Sequence, residues 1–158
     1  MIKKEPLKTD LIGSKTDKTD YKIEFFGEVD ELSATIMEFT HYTEDKILNL
    51  ELENIVKTLF IISGEVAGSK NKLEPIALQN LLSIIDSYSK KTQAFHGFIL
   101  PGKTLKGAKT HVLRTVSRRC ERAYAKVYKN YGGSDIIFEY LNKLSTLFYL
   151  IAKSYDEN

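Results

Sequence analysis

The sequence predicts an all-α fold, a bundle of about five helices. Three observations predict it. Apolar residues recur at spacings of three and four through five long segments. No segment shows apolar alternation bounded by hairpin turns, so strands are not expected. The long segments are parted by Pro and Gly, the residues that break helices most effectively. At 158 residues the chain has the size of one domain, long enough to bury a core without disulfide or metal staples.

Residues 1–20 are polar, rich in Lys, Thr, Asp and Ser, and without sustained periodicity, which predicts a flexible N-terminal arm ahead of a helical domain at 21–158. From Tyr21, the positions Phe25, Phe26, Val29, Leu32, Ile36 and Phe39 carry a helical period, giving a helix over roughly 21–42. Thr43 is the expected N-cap of a second helix, "EDKILNLELENIVKTLFIISGEVAG", which ends near Gly68. The segment "EPIALQNLLSIIDSYSKK" makes a third, with Pro75 in the first turn, where a missing N–H costs little. Between Lys91 and Gly107, "FHGFILPGKTLKG" interrupts the helical pattern with one Pro and three Gly. A long fourth helix is expected from about Leu105 to Tyr131, stopped by Gly132 and Gly133, and a fifth follows Ser134.

Composition excludes several classes. No apolar run approaches the ~20 residues of a membrane helix, and the first residues lack the apolar segment of a secretory signal. One cysteine, Cys120, rules out an internal disulfide and a multi-cysteine zinc site. A cytoplasmic protein with no membrane association is the expectation. The net charge of +2 argues against bulk nucleic-acid binding. Glu38 and His41 have the spacing of half a di-iron site, but no second Glu-x-x-His exists, so both read as surface residues.

One stretch stands apart. "HVLRTVSRRCER", His111 to Arg122, contains Arg114, Arg118, Arg119 and Arg122, the only arginines in the chain. At 100° per residue, Arg114, Arg118, Glu121 and Arg122 share one face of the fourth helix with His111. Leu105, Val112, Leu113, Val116, Cys120, Ala123 and Val127 populate the opposite face, and Arg119 sits at the edge. A guanidinium grips carboxylate or phosphate through two parallel hydrogen bonds, which lysine does not do. The cluster therefore reads either as a phosphate-ligand site or as a solvated helix face with local ion pairs.

"FILPG", then "HVLRTVSRRCER", then "YLNKLSTLFYLIAK" resembles the PduO-type ATP:cob(I)alamin adenosyltransferases. Their pattern runs FILPGG, H-x-x-R-x-x-x-R-R-x-E-R and YLNRLSD. "FGEVDELSA" and "LFIISGEVA" resemble two earlier motifs of that family, so the likeness spans residues 13–153 in order. It implies a ferritin-like five-helix up-and-down bundle, assembled as a homotrimer with sites between subunits. The implied reaction moves the 5′-deoxyadenosyl group of ATP to the cobalt of cob(I)alamin and releases triphosphate. ATP, Mg²⁺ and cobalamin (as substrate) are the implied ligands, with a reductase or a cobalamin-dependent enzyme as handover partner.

The resemblance also assigns residues. Arg118 and Asn142 match nucleotide-binding positions, and Arg119, Glu121 and Arg122 fall in the same stretch. Arg114 matches an arginine that pairs with the aspartate of the V-D-E-L motif, Asp30, across the subunit interface. Phe98 matches the aromatic that shields the lower face of the corrin, and Tyr149 a second aromatic near it. With Arg118 and Asn142, Phe98 completes the expected catalytic set; without the resemblance its apolar run reads as core. Ser14, Lys15, Thr16 and Lys18 fall in the N-terminal nucleotide loop, which here is shorter and lacks the family's glycines. Lys103 replaces the second Gly of LPGG, and Thr146 replaces the Asp of LSD. These departures keep a second reading open: a non-catalytic relative that binds cobalamin or nucleotide. Cys120 reads as a small core residue.

Overall fold

A computed structural model describes residues 5–94 and 96–158. The chain opens with an antiparallel hairpin, β1 (Lys8–Leu11) and β2 (Ser14–Asp17). Five helices follow: α1 (Tyr21–Thr40), α2 (Lys46–Ala67), α3 (Pro75–Ser89), α4 (Leu105–Tyr131) and α5 (Asp135–Asp156).

The hairpin corrects the expectation of an irregular arm and of a fold without strands; residues 1–4 lie outside the described residues. Its register pairs Lys8 with Asp17 and Thr9 with Thr16, and Gly13 takes the left-handed φ of 75° that closes the turn. Each strand has four mostly polar residues. That is too short and too solvated to print an apolar alternation on the sequence.

The helices form because their apolar stripes meet. α4 packs against α1 and α5, α5 also packs against α3, and α1 against α2. Phe25, Leu32 and Ile36 of α1, Leu52, Leu59 and Ile62 of α2, Leu81 of α3, and Leu141, Leu144 and Phe148 of α5 are buried in one core with Leu113 and Cys120 of α4. Truncating a residue such as Leu144 to Ala removes ~2–5 kcal/mol. Burial pushes the Cys120 thiol up to about 12, which removes it as a nucleophile.

Caps set the helix ends. Asp20 accepts from the Lys22 amide at 2.8 Å to start α1. The second helix begins later than expected: Asp45, not Thr43, caps it, accepting from the Ile47 and Leu48 amides at 3.0 Å each. Thr43 is buried instead and accepts from the Asp45 amide at 3.1 Å. α1 ends at Thr40, two residues short of the expected boundary. Pro75 stands at the start of α3, where its fixed φ suits the first turn.

The buried stripe of α4 differs from the sequence reading at its N-terminal end. Leu105 and Val112 are 66% and 52% exposed, whereas His111, assigned to the polar face, is 7% exposed. Gly107, Thr110, His111 and Ser117 carry the stripe there. The hydroxyls fit because they bond within their own helix: Thr110 Oγ1 donates to the Lys106 carbonyl at 2.7 Å and Ser117 Oγ to the Arg114 carbonyl at 2.8 Å. Hydrophobicity alone does not reveal such a stripe.

Candidate functional site

α4 turns different sides toward α1 and α5, and its arginines divide between them. On the α1 side, Arg119 Nε donates to Glu28 Oε2 at 2.7 Å, and its terminal nitrogen bonds to Glu31. Those two bonds, Glu31 first and Glu28 second, raise the guanidinium above its ordinary pKa. Along the same side, about two turns after and nearly three turns before Arg119, Lys126 reaches Glu24 at 3.3 Å and Lys109 reaches Glu38 at 3.5 Å. Glu38 is thereby occupied, and among the described residues no group of three or more His, Cys, Asp or Glu stands ready to hold a metal ion.

Toward α5 the pattern reverses. Arg114, Arg118, Ser145, Thr146 and Tyr149 line a cleft of about 210 Å³. Among the described residues, no carboxylate lies within ion-pair reach of Arg114, Arg118 or Arg122. Arg118 and Arg122 are exposed and Arg114 is half-buried. Glu121, the acid nearest in sequence, accepts instead from Asn142 Nδ2 of α5 at 3.1 Å. That bond ties together two residues the sequence had placed in the nucleotide site. Tyr149 contributes a buried hydroxyl with no hydrogen-bond partner. An orphan polar atom beside two unpaired guanidinium groups is the signature of a place completed by something else.

Behind the cleft, Arg114 Nε donates to His111 Nδ1 at 3.2 Å. A ring nitrogen that accepts carries no proton, so His111 is the neutral tautomer protonated at Nε2. Burial, then the Arg114 charge, hold its pKa below the ordinary value, against the opposing pull of Asp156. Nε2 lies 3.8 Å from Asp156 Oδ2, and the Tyr149 ring meets the imidazole edge-on with centroids 6.4 Å apart.

The other sequence-assigned residues lie elsewhere. Asp30 is exposed on α1 and, with Phe26, Gly27, Phe60 and the β1 residues Thr9 and Asp10, lines a separate groove of about 490 Å³. Asp30 and Arg114 therefore face different cavities of one chain. The hairpin residues Ser14, Lys15 and Lys18 are exposed and Thr16 is half-buried. The hairpin holds itself together: Asp17 accepts from the Thr19 hydroxyl at 2.7 Å and amide at 2.9 Å, which hold its carboxyl below the usual range. Lys18 N donates to the Leu7 carbonyl at 2.8 Å and extends the ladder.

Phe98 is fully exposed, with Leu100 73% and Ile99 41% exposed beside it, so the reading of this run as core fails. Three adjacent apolar side chains are thus presented to water as one small patch. The residue that sequence reasoning missed is Asp156, whose carboxylate accepts from the Gly102 amide at 3.0 Å and from the Thr104 amide at 2.9 Å. Its signal was present: an acid in the last turn of a helix opposes the dipole and needs a compensating partner. Burial works to raise the Asp156 pKa, but the Thr104 and Gly102 amides overcome it and hold it low.

Fold and site together define a class: a five-helix bundle with an unpaired guanidinium cleft between two adjacent helices and an apolar loop at one end. The chain belongs to the cobalamin adenosyltransferase family, whose characteristic pattern matches residues 5–155. A corrinoid adenosyltransferase of Bacillus subtilis (strain 168) is 31% identical over 153 residues, covering 92% of this chain and 79% of that protein. One from Citrobacter freundii is 30% identical over 148 residues, covering 89% and 84%. Among solved structures, a variant PduO-type ATP:corrinoid adenosyltransferase from Lactobacillus reuteri complexed with cobalamin and ATP superimposes with a TM-score of 0.86 at 27% identity, covering 97% of this chain and 90% of that one. A second variant from the same organism, complexed with ATP, gives 0.86 at 28% identity, covering 97% and 91%.

Proposed function

We propose that this protein transfers the 5′-deoxyadenosyl group of ATP to the cobalt of a reduced corrinoid, in sites formed between the subunits of a homotrimer. The observation that carries the reading is the division of α4: charges facing α1 are neutralised within the chain, while Arg114 and Arg118 face a cleft without a counter-charge. A triphosphate supplies that counter-charge to Arg118, and an acid of a neighbouring subunit supplies it to Arg114.

In the transfer, the cobalt(I) lone pair attacks C5′ of ATP, the C5′–O bond breaks, and triphosphate leaves with the bonding electrons. Negative charge grows on the leaving oxygen, where a fixed guanidinium fork stabilises it at little reorganisation cost. Arg118 takes that role, with Arg122 and Glu121 in the same nucleotide stretch and Asn142 held by Glu121 to meet the nucleoside. Arg119 braces α4 on α1 behind them. Mg²⁺ fits this donor set only as a passenger on the phosphates, the usual way that ion binds nucleotides.

The hairpin and the Arg118 cleft line different surfaces of one chain. A neighbouring subunit brings them together: its Ser14, Lys15, Thr16 and Lys18 complete the phosphate site, and its Asp30 pairs with Arg114. Gly27 and Ala34 beside Asp30 are small and exposed, which permits close approach. Phe98 and Tyr149 wall the corrin. An apolar wall keeps an axial ligand off cobalt and eases its reduction. Among the described residues no helix is long and apolar enough to cross a membrane. In this reading the protein works in the cytoplasm, and a separate protein donates the electron or receives the product.

The test is anaerobic incubation of the protein with ATP, Mg²⁺ and chemically reduced cobalamin. Adenosylcobalamin and triphosphate are the expected products. Corrinoid binding without product identifies a non-catalytic relative instead.

A further inference from the structure

The connection between α3 and α4 is fastened at both ends by the last turn of α5. At its start, the Gln93 amide donates to Glu157 Oε2 at 3.1 Å, and the buried Lys153 ammonium bonds to the Gln93 carbonyl while pairing with Glu157 at 3.2 Å. At its end, one carboxylate does the fastening. Asp156, with a side chain only 6% exposed, accepts from the Gly102 amide, the Thr104 amide and the Thr104 hydroxyl, the last at 3.0 Å.

The Thr104 hydroxyl donates to Asp156 and accepts from the Gly107 amide at 3.0 Å, so the same carboxylate orients the N-cap of α4. Packing at this point leaves no room for side chains. A Cβ on Gly107 would lie 2.0 Å from Asp156 Oδ1, and one on Gly102, at a left-handed φ of 84°, would lie 2.7 Å from the Ala108 Cβ. His111 Nε2, at 3.8 Å, falls short of a hydrogen bond. The groups Asp156 actually holds therefore belong to the connection and its junction with α4. Between the two fastenings, Phe98, Ile99 and Leu100 have no cover. The loop is fixed at its roots and open at its apex.

We propose that Asp156 is a positioning residue for the corrinoid: by pinning Gly102 and Thr104 it presents the apolar apex Phe98–Leu100 in its binding pose. The inference rests on the corrinoid reading above. Charge-assisted bonds from two amides and a hydroxyl keep the loop populated in that pose, and a loop that visits it a tenth of the time weakens the apparent corrinoid affinity about tenfold. On the same reading ATP is held by Arg118, Arg122 and Asn142; Arg118 lies nearly four turns along α4 from Thr104, so its affinity should depend little on the latch.

The experiment uses the full chain and its Asp156→Ala and Asp156→Asn variants, with dissociation constants for cob(II)alamin and for ATP from absorbance and calorimetric titration, and amide exchange at Gly102 and Thr104. The proposal predicts faster exchange at both amides, a cob(II)alamin Kd raised about tenfold in Asp156→Ala and less in Asp156→Asn, and an ATP Kd within about twofold of wild type. Corrinoid and ATP affinities that fall together, or a corrinoid affinity that does not move, overturn it. Should Asp156→Ala not fold, Asp156→Asn, which keeps one acceptor oxygen and the volume, decides by the same criteria. A wild-type chain that binds corrinoid without transferring refutes the transfer reading yet leaves the latch to the Kd comparison; one that binds no corrinoid refutes both.

Discussion

Arg118 and Arg119 are neighbours in sequence with opposite circumstances. Arg119 spends its charge on Glu28 and Glu31 of α1, and Lys126 and Lys109 do likewise with Glu24 and Glu38. Arg118 stands with Arg114 over a cleft whose other walls are Ser145, Thr146 and Tyr149, none of them anionic. A helix that neutralises one flank and leaves the other cationic is built to brace on the first and bind on the second. Composition alone could not have distinguished the flanks, since each carries the same residue type.

The comparison is broken most severely by deleting the free charge. Arg118→Ala should lower kcat about 10²–10³-fold in the anaerobic transfer assay, the usual loss for one donor aimed at developing charge. Removing the α1 acid of the other groove, which Asp10 of β1 also lines, comes next. Asp30→Ala should weaken trimer assembly by about 3–5 kcal/mol, read by sedimentation, because it strands a half-buried Arg114 in the interface. Asp30→Arg combined with Arg114→Asp should restore assembly, and failure to do so would separate these two residues.

A third change strikes the loop root. Gly102→Ala forces a side chain into a left-handed φ and against Ala108, and should cost about 1–3 kcal/mol in denaturant unfolding. The bracing flank should be far more forgiving: Arg119→Ala should lower stability by no more than about 1 kcal/mol, since the pair is 44% exposed on its arginine side and screened by water.

The smallest effect is a pH slope. His111 has a folded pKa below its ordinary 6.5, so the unfolded chain binds more protons as pH falls. Stability is therefore full above about pH 6.5 and declines below it through the folded value. Urea midpoints at pH 7.5 and 5.5 should differ in that direction, and His111→Gln should flatten the difference.

The five helices were legible because burying one face of a helix writes a 3.6-residue period on the chain, and Phe25 to Phe39 obey it closely. The β1–β2 hairpin was not, because its ladder is made by backbone groups under solvated Lys, Thr and Asp side chains. Nor did a helical projection foresee His111 in the interior, since its burial depends on Tyr149 and Asp156, residues 38 and 45 positions away that only the α4–α5 packing brings to it. The motifs named Arg118, Arg119 and Asn142 as one group. Which arginine remained free required knowing where Glu28 and Glu31 stood.

The central claim is that fork geometry at the free flank, not positive charge on α4, serves the leaving triphosphate. Arg118→Lys and Arg119→Lys conserve charge and differ only in which flank loses its fork, so kcat/KM for the two should be measured side by side with ATP and reduced cobalamin. The account predicts a loss of at least about tenfold for Arg118→Lys and a much smaller one for Arg119→Lys. Equal losses, or full activity in Arg118→Lys, would contradict it.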